Sequence, residues 1–224
     1  VEELTKMLLR SALLREDADH YTLTGPLRSV AIPDTLQDAL MARLDRLVTA
    51  KGLAQLAAII GRQFSHELLQ AVSQVEEAML QHELGRLVEA EIVYRRGVPP
   101  HATYVFRHAL IQDAAYQSLL KSTRQHYHQR IAQVLEAQFA ETAEAAPELL
   151  AHHYTEAGVL AQAIAYWQRA GQQAVERSAY AEAVSTLTTA LNLLTTLPES
   201  RERSQQELAI QITLSLALRV TKGG

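Results

Sequence analysis

Histidine is the residue type with the clearest chemical potential in this sequence. The chain has nine histidines and no cysteine, so disulfides, thiolate nucleophiles and cysteine-ligated zinc are excluded. His126 and His128 are two residues apart, and His152 and His153 are adjacent. On a helix such pairs point about 200° and about 100° apart, whereas metal ligands on one face are three or four residues apart. His152 and Glu156 have that spacing but lack a third ligand. The sequence therefore favours surface or packing roles and predicts no metal site.

The short motifs of nucleotide and hydrolase sites are absent. The sequence contains no GxxxxGK phosphate loop, no GxGxxG fingerprint, no GxSxG nucleophile turn and no HExxH motif. We therefore expect no catalytic residue, no complete nucleotide pocket and no enzymatic activity in this segment by itself.

Composition is that of a globular protein. The chain has 224 residues, of which 48% are hydrophobic and 21% charged, and its formal net charge is -4. This length allows one large domain or two small ones, and the charge gives no general attraction to nucleic acids or acidic membranes. No apolar run approaches the roughly 20 residues that span a bilayer, and no signal peptide is evident. A cytoplasmic location is predicted. Because the sequence opens on an amphipathic helix without Met or a capping residue, we expect a piece of a larger protein.

Helical periodicity dominates the first part of the chain. A helix is predicted from about Val1 to Leu14, and the run YTLTG then indicates an extended stretch. Asp34 and Gln37 form a capping-box pattern behind Pro33. The apolar residues that follow at helical spacing are Leu36, Leu40, Leu44, Leu47 and Val48.

Three further helices are predicted before residue 90. The first ends near Gly61, and Ser65 is placed to cap the second, HELLQAV. The apolar stripes that define the first and third helices are Leu53, Leu56, Ala57 and Ile60, then Leu80, Leu84, Leu87 and Val88.

Two β-prone runs, EIVYRR and ATYVF, flank GVPPH and predict a two-stranded hairpin. Helices followed by one hairpin resemble a winged-helix domain, and a helical bundle with an irregular hairpin is the alternative. DNA binding is disfavoured because the helix in the recognition position repels phosphate. Its glutamates, against Arg86 alone, are Glu76, Glu77, Glu83, Glu89 and Glu91. The hairpin and the following helices are basic, which could favour nucleic acid, but a solvated surface also explains such residues. The basic residues are Arg95, Arg96, Arg107, Lys121, Arg124 and Arg130.

The second half is predicted to be helical throughout. HALIQDAAYQSLL and STRQHYHQRIAQVLEAQF indicate two helices, the second with a stripe of Tyr127, Ile131, Val134 and Leu135. The Ala-, Glu- and Pro-containing run ETAEAAP, near residues 141–147, is the best candidate domain boundary. Beyond it, the order of a tetratricopeptide repeat is matched by Trp167, Gly171, Tyr180, Ala183 and Ala190. The apolar tail from Leu208 to Val220 alternates like a strand, but its charged, helix-prone lead favours a helix. Burial between solenoid neighbours would explain why that helix is apolar on several sides.

Three stretches carry a family resemblance: IPDTLQDALMARLDRL, YVFRHALIQDAAYQSLL, and LAHHYTEAG with AIAYWQRAGQQAVERSA. They resemble the central part of bacterial STAND-class signal-transducing ATPases, which include AAA-type ATPases fused to class III adenylate or guanylate cyclases. The resemblance covers nearly the whole chain. It implies the end of the ATPase helical lid and a connector at residues 1–33, a winged-helix-like regulatory arm at 34–140, and a truncated tetratricopeptide-like array at 148–224. The family's phosphate loop would lie upstream of Val1, so no catalytic residue is carried over.

One site residue follows from the resemblance. In related proteins a Met-His-Asp motif opens the helix after the hairpin, and its His contacts the β-phosphate of ADP. RHALIQDAA is similar to that motif and places His108 as a nucleotide β-phosphate sensor, although Arg107 replaces Met and Ala109 replaces Asp. A helix that starts near His108 presents free N–H groups and a positive dipole end to phosphate. Capping or packing is the alternative role for this histidine.

The resemblance implies a regulatory and protein-interaction segment of a nucleotide-dependent signalling ATPase. This segment would hold no cofactor, whereas ATP or ADP with magnesium would bind the parent protein. Its implied partners are the upstream ATPase core in cis and a protein or ligand on the helical array, with no membrane and no nucleic acid. Two other classes remain open, a stand-alone tetratricopeptide-type scaffold and a DNA-binding winged-helix regulator.

Overall fold

The computed structural model describes residues 14–17, 20–23 and 44–222, and it is mainly helical, as predicted. The chain divides into two compact units, Val1–Ala39 and Leu40–Gly224. In the first unit β1 (Leu14–Asp17) and β2 (His20–Leu23) pair antiparallel, with Leu14 opposite Leu23. The extended stretch predicted near Tyr21 is therefore present. The predicted helix was expected to reach Leu14, but Leu14 begins β1, so the prediction is wrong at that end. The rest of the predicted helix and the Asp34 capping box lie outside the described residues.

The second unit begins with helices and short strands in alternation. These elements are α1 (Val48–Ile60), β3 (Gln63–Ser65), α2 (His66–Ser73), α3 (Glu77–Glu89), β4 (Val93–Arg96) and β5 (Thr103–Phe106). The start of α2 is confirmed as predicted, because Ser65 accepts a hydrogen bond from the Leu68 backbone N–H at 3.1 Å. Gly61 ends α1, also as predicted; its φ of 148° favours glycine.

Only helices follow β5 in the described residues. They are α4 (Ala109–Gln117), α5 (Lys121–Gln138), α6 (Ala140–Ala145), α7 (Pro147–Ala157), α8 (Leu160–Glu176), α9 (Tyr180–Leu194) and α10 (Arg201–Lys222). Within the described residues, no helix combines the length and the hydrophobicity that crossing a membrane requires.

The helix predicted to run through Leu44 and Val48 is interrupted. Leu44 is fully buried and helical, but the chain turns at Arg46 and α1 starts at Val48. Val48 is 80% exposed, so the apolar spacing that suggested one continuous stripe does not follow one buried face. The predicted residues upstream of Leu44 lie outside the described part of the chain.

The predicted hairpin is confirmed as β4 paired with β5, with Val93 opposite Phe106. Sequence reasoning missed β3, which pairs antiparallel with the other edge of β5 and gives the sheet order β3-β5-β4. Phe64 of β3 stacks on Tyr104 of β5 with ring centroids 5.6 Å apart. These aromatic contacts fasten the small sheet to the helices, because Phe64 and Tyr104 belong to the same hydrophobic core as α1 and α3.

One continuous core extends across the predicted boundary at residues 141–147. Residues 140–145 form α6, and Ala143 is buried in the core that also includes Leu135 of α5 and Leu150 of α7. The run ETAEAAP therefore turns the chain without interrupting apolar packing. The domain assignment on either side of it stays a prediction.

The last four helices pack in sequence, α7 on α8, α8 on α9 and α9 on α10. Short connections join the first three, so neighbouring helices are antiparallel hairpin partners. Two smaller apolar clusters hold α8, α9 and α10 together, and alanines form much of the second one. Small side chains allow the helix axes to approach closely.

Candidate functional site

The predicted sensor, His108, lies at the junction between β5 and α4. Its backbone is extended, with φ -129° and ψ 137°, and its carbonyl accepts a hydrogen bond from the Ile111 N–H at 3.1 Å. The imidazole is exposed and makes no capping hydrogen bond. His108 is therefore the N-cap residue by position only, and its side chain is available to a group outside the described residues.

Arg107 fixes the path of the chain just before His108. Its N–H donates to the Ile92 carbonyl at 3.0 Å, and its guanidinium pairs with Glu91 at 2.5 Å. Because the free N–H groups of the first turn of α4 lie beside it, His108 stands at the positive end of a nine-residue helix. An anion brought to this junction would meet one imidazole and the helix end.

The glutamates of α3 are partly engaged inside the protein. Glu83 is buried and accepts hydrogen bonds from Thr49 Oγ1 at 2.8 Å and from Arg86 Nη1 at 3.1 Å. Glu77 pairs with the buried His66 at 2.8 Å, and the hydrogen bond from Gln81 is the main cause that lowers the pKa of the Glu77 carboxyl. These contacts position α3 but leave it acidic. The cations Arg95 and Arg96 are exposed on β4.

Two histidines from different helices form a buried pair. His128 of α5 and His153 of α7 are 2% and 1% exposed, and their Nδ1 atoms are 2.9 Å apart. Only one of these atoms can carry the proton that the hydrogen bond requires. The other ring nitrogen of His128 hydrogen-bonds the Tyr116 hydroxyl at 3.2 Å. The pair thus joins α5 to α7, and the Tyr116 hydroxyl extends the contact to α4.

The pKa of His128 is lowered to about 4 and that of His153 to about 3, and burial is the main cause for both. Repulsion from His152 contributes to both shifts, with Arg124 acting on His128 and the His128 ring on His153. Both imidazoles are therefore neutral near pH 7. This arrangement assigns His128 and His153 the packing role that the sequence favoured, while His126 and His152 are exposed. Among the described residues, no group of three or more histidine, aspartate or glutamate side chains is arranged to hold a metal ion.

A second polar contact joins the same helices. Glu136 of α5 accepts hydrogen bonds from the hydroxyls of Tyr154 and Tyr166, the latter at 2.6 Å. Burial, followed by the Glu136 carboxylate, raises the pKa of Tyr166 to about 12 and raises that of Tyr154 as well. The two tyrosine rings stack with centroids 5.8 Å apart. Helices α7 and α8 are thus attached to α5 by directed hydrogen bonds as well as by apolar contacts.

The residues that suggested a tetratricopeptide order lie at helix contacts. Gly171 of α8 is buried, and a Cβ atom there would lie 2.4 Å from Cγ of Leu187. Trp167 donates from Nε1 to Thr155 Oγ1 at 3.0 Å, across the α7 and α8 pair. Ala183 and Ala190 of α9 are fully buried. The spacing in the sequence therefore reflects close helix packing.

An exposed apolar stripe runs along α10. Its inner face contributes Ile210 and Ala217, which are both fully buried. Four large apolar side chains at intervals of four residues are exposed on another face, namely Leu208, Ile212, Leu216 and Val220. The tail is helical as predicted, and the described residues cover the face of it that packs on α8 and α9. Its burial between solenoid neighbours stays a prediction.

Sequence reasoning missed the His128 and His153 pair because it compared ligand spacing within one helix. The 25 residues that separate them in sequence include a helix end, a short helix and a turn. A useful signal was present, since His128 shares the apolar face of α5 with Ile131 and Leu135. A histidine at helical spacing from core residues is expected to be buried and to need a partner.

Comparison with known proteins identifies a relative whose function is not characterised. No protein-family model matches the chain. An uncharacterised protein of Rhizobium meliloti (strain 1021) is 32% identical over 165 residues, which are 73% of this chain and 16% of the relative. The chain thus spans about one sixth of the length of the relative that it matches.

Proposed function

We propose that this chain is a regulatory and protein-interaction segment of a nucleotide-dependent signal-transducing ATPase of the STAND kind, a class with cyclase-linked members. The observation that supports the proposal is the exposed apolar stripe of α10, in a helical stack attached to a mixed α and β region. Four apolar side chains at one helical spacing suit an amphipathic helix of a protein partner. The cysteine-free composition supports a cytoplasmic setting.

The winged-helix interpretation is supported by β3. A winged helix places one short strand after its first helix and pairs it with the second strand of the later hairpin. Here β3 follows α1, α2 and α3 come next, and the sheet order is β3-β5-β4. A helical bundle with an irregular hairpin has no need of that third strand. The acidic α3 argues against DNA as the partner of this domain.

The tetratricopeptide-like interpretation is supported by the close approach at Gly171 and by the sequential packing of α7 to α10. In the proposed mechanism, the array binds a partner and the winged-helix-like arm holds the ATPase core closed. Partner binding opens the core only through a difference in affinity between the two conformations. ATP or ADP with magnesium binds that core, and this segment contributes at most His108.

The proposal is tested at His108 in the protein that contains the ATPase core. His108→Ala removes the sensor contact and should weaken ADP binding relative to ATP by about 5- to 150-fold, the ordinary range of an allosteric coupling. His126→Ala removes another exposed histidine and serves as the matched control. ADP and ATP affinities are measured by calorimetry beside the melting temperature. An unchanged affinity ratio with a lowered melting temperature would make His108 structural and remove the sensor from the proposal.

A stand-alone scaffold is the second candidate, because the stripe of α10 suits a partner whether or not an ATPase is attached. The open reading frame that encodes this chain separates the two. A GxxxxGK motif within roughly 300 residues upstream supports the ATPase, by the usual size of a domain. A start codon just before Val1 would instead favour the scaffold.

A further inference from the structure

A partly open cavity lies where α1, α3 and α5 meet the end of α2. Its volume is about 180 Å³. Thr49, Gly52 and Met79 form an exposed rim, so a ligand can enter from solvent. The wall is mostly apolar, with contributions from Leu53, Leu56, Val75 and Leu80.

Two charged side chains, Glu83 and Arg130, line this cavity, and they differ in their hydrogen bonding. Glu83 is satisfied, since Thr49 and Arg86 both donate hydrogen bonds to its carboxylate. Arg130 has a buried Nη2 atom without a hydrogen-bond partner among the described residues. A buried donor without a partner is costly, and a charged donor more so. The cavity therefore combines an apolar wall, a hydrogen-bonded carboxylate and a guanidinium with one unpartnered donor.

We propose that this cavity binds a small organic monoanion, a carboxylate with a short apolar tail. The carboxylate accepts a charge-assisted hydrogen bond from the Arg130 guanidinium, which lines the cavity. The tail packs against Leu53, Leu56 and Leu80. A dianion such as a phosphate monoester fits less well, because Glu83 in the same wall repels the second charge.

Volume sets the size of the tail. A dry protein cavity of about 150 Å³ holds one benzene molecule, so the space here suits a tail of about four to eight carbons. Cofactors and nucleotides need a cavity several times larger. This inference is independent of the proposed signalling function, because it involves neither His108 nor the array.

Hexanoate and its uncharged analogue hexanamide are the probes, applied to the full 224-residue chain. Saturation-transfer NMR should show hexanoate binding with a dissociation constant below about 1 mM. Hexanamide should bind at least tenfold more weakly. Arg130→Met should weaken hexanoate binding about tenfold or more, since it removes a charge-assisted hydrogen bond. Arg169→Met, which removes an exposed guanidinium from α8, should leave it unchanged.

A pair of glycine variants tests the location without risk to the fold. Gly52 and Gly85 both lie inside helices where an added Cβ meets no atom within 4 Å, and only Gly52 lines the cavity. Replacing either by leucine should stabilise its helix, because glycine is a poor helix former. Gly52→Leu should abolish hexanoate binding by filling the rim, whereas Gly85→Leu should retain it.

The binding experiments distinguish a specific site from its absence. Selective hexanoate binding that is lost in Arg130→Met and Gly52→Leu, and kept in both controls, supports the site. Absence of saturable hexanoate binding, equal binding of hexanamide, or retention of binding in Gly52→Leu would overturn it. None of these results depends on whether the parent protein binds ATP, so the proposed function stands or fails separately.

Discussion

The region from Leu44 to α7 and the region from α8 to α10 are both helical, but they differ in how their apolar surface is covered. In the first, helices enclose a small sheet, and one continuous core includes Leu84 and Phe106. In the second, two small clusters hold α8, α9 and α10 together, and α8 also packs on α7. The α10 stripe is therefore exposed within the described residues, and the proposed interaction surface rests on it.

The largest contrast is expected between leucines of the two regions. Leu84→Ala removes a 1% exposed side chain from the continuous core and should lower the free energy of unfolding by about 2–5 kcal/mol. Leu208→Ala truncates a 59% exposed side chain of the stripe and should change it by less than about 0.5 kcal/mol. Urea denaturation measures both. A loss above 2 kcal/mol for Leu208→Ala would mean that the stripe is covered within this chain.

Close helix approach in the second region can be tested with matched glycines. Gly171→Ala places a Cβ against Leu187 and should cost about 1–3 kcal/mol by overpacking, partly offset by better helix propensity. Gly85→Ala has free space and should stabilise the protein by about 0.5–1 kcal/mol. Opposite signs in urea denaturation are expected. Stabilisation by both variants would contradict the close α8 and α9 contact.

The contact between α5 and α7, inside the first region, should respond to pH through His128 and His153. Their pKa values of about 4 and about 3 lie below the ordinary value of 6.5, so the unfolded chain binds more protons as the pH falls below 6.5. The stabilisation is present above pH 6.5 and is lost as the pH falls towards those lowered values. Each histidine can add up to about 1.4 kcal/mol per pH unit to the slope. The groups that face the pair include His152 and Arg124.

Unfolding in urea between pH 7 and pH 5 measures that slope. The double variant His128→Leu with His153→Met should flatten it, whereas His126→Leu changes an exposed side chain and should not. An unchanged slope in the double variant would show that other groups cause the pH dependence.

The features that the sequence predicted depend on residues close together in the chain, and those that it missed depend on residues far apart. The Ser65 cap, the end of α1 at Gly61 and the hairpin of β4 and β5 depend on residues close in sequence, and all are present. By contrast, β3 has only three residues and owes its conformation to pairing with β5, about 40 residues later. Periodicity cannot reveal such a strand.

The histidine pair and the cavity also depend on contacts between residues far apart in sequence. The contact of His128 with His153 depends on how α5 lies against α7, which no spacing rule encodes. The cavity beside Arg130 is assembled from four helices in the same way. His108 was identified through a family resemblance, and its exposed position at the start of α4 is compatible with that role without testing it.

Residue-resolved hydrogen exchange tests the contrast between the two regions most directly. The amides from Leu53 to Ile60 lie in a helix of the continuous core, whereas those from Leu208 to Val220 lie in a helix that is covered on one face. We expect the α10 amides to exchange faster, through local opening that leaves α1 intact. Equal protection of the two segments would contradict the account, because α10 would then be as firmly enclosed as the core and its stripe would not be an open surface.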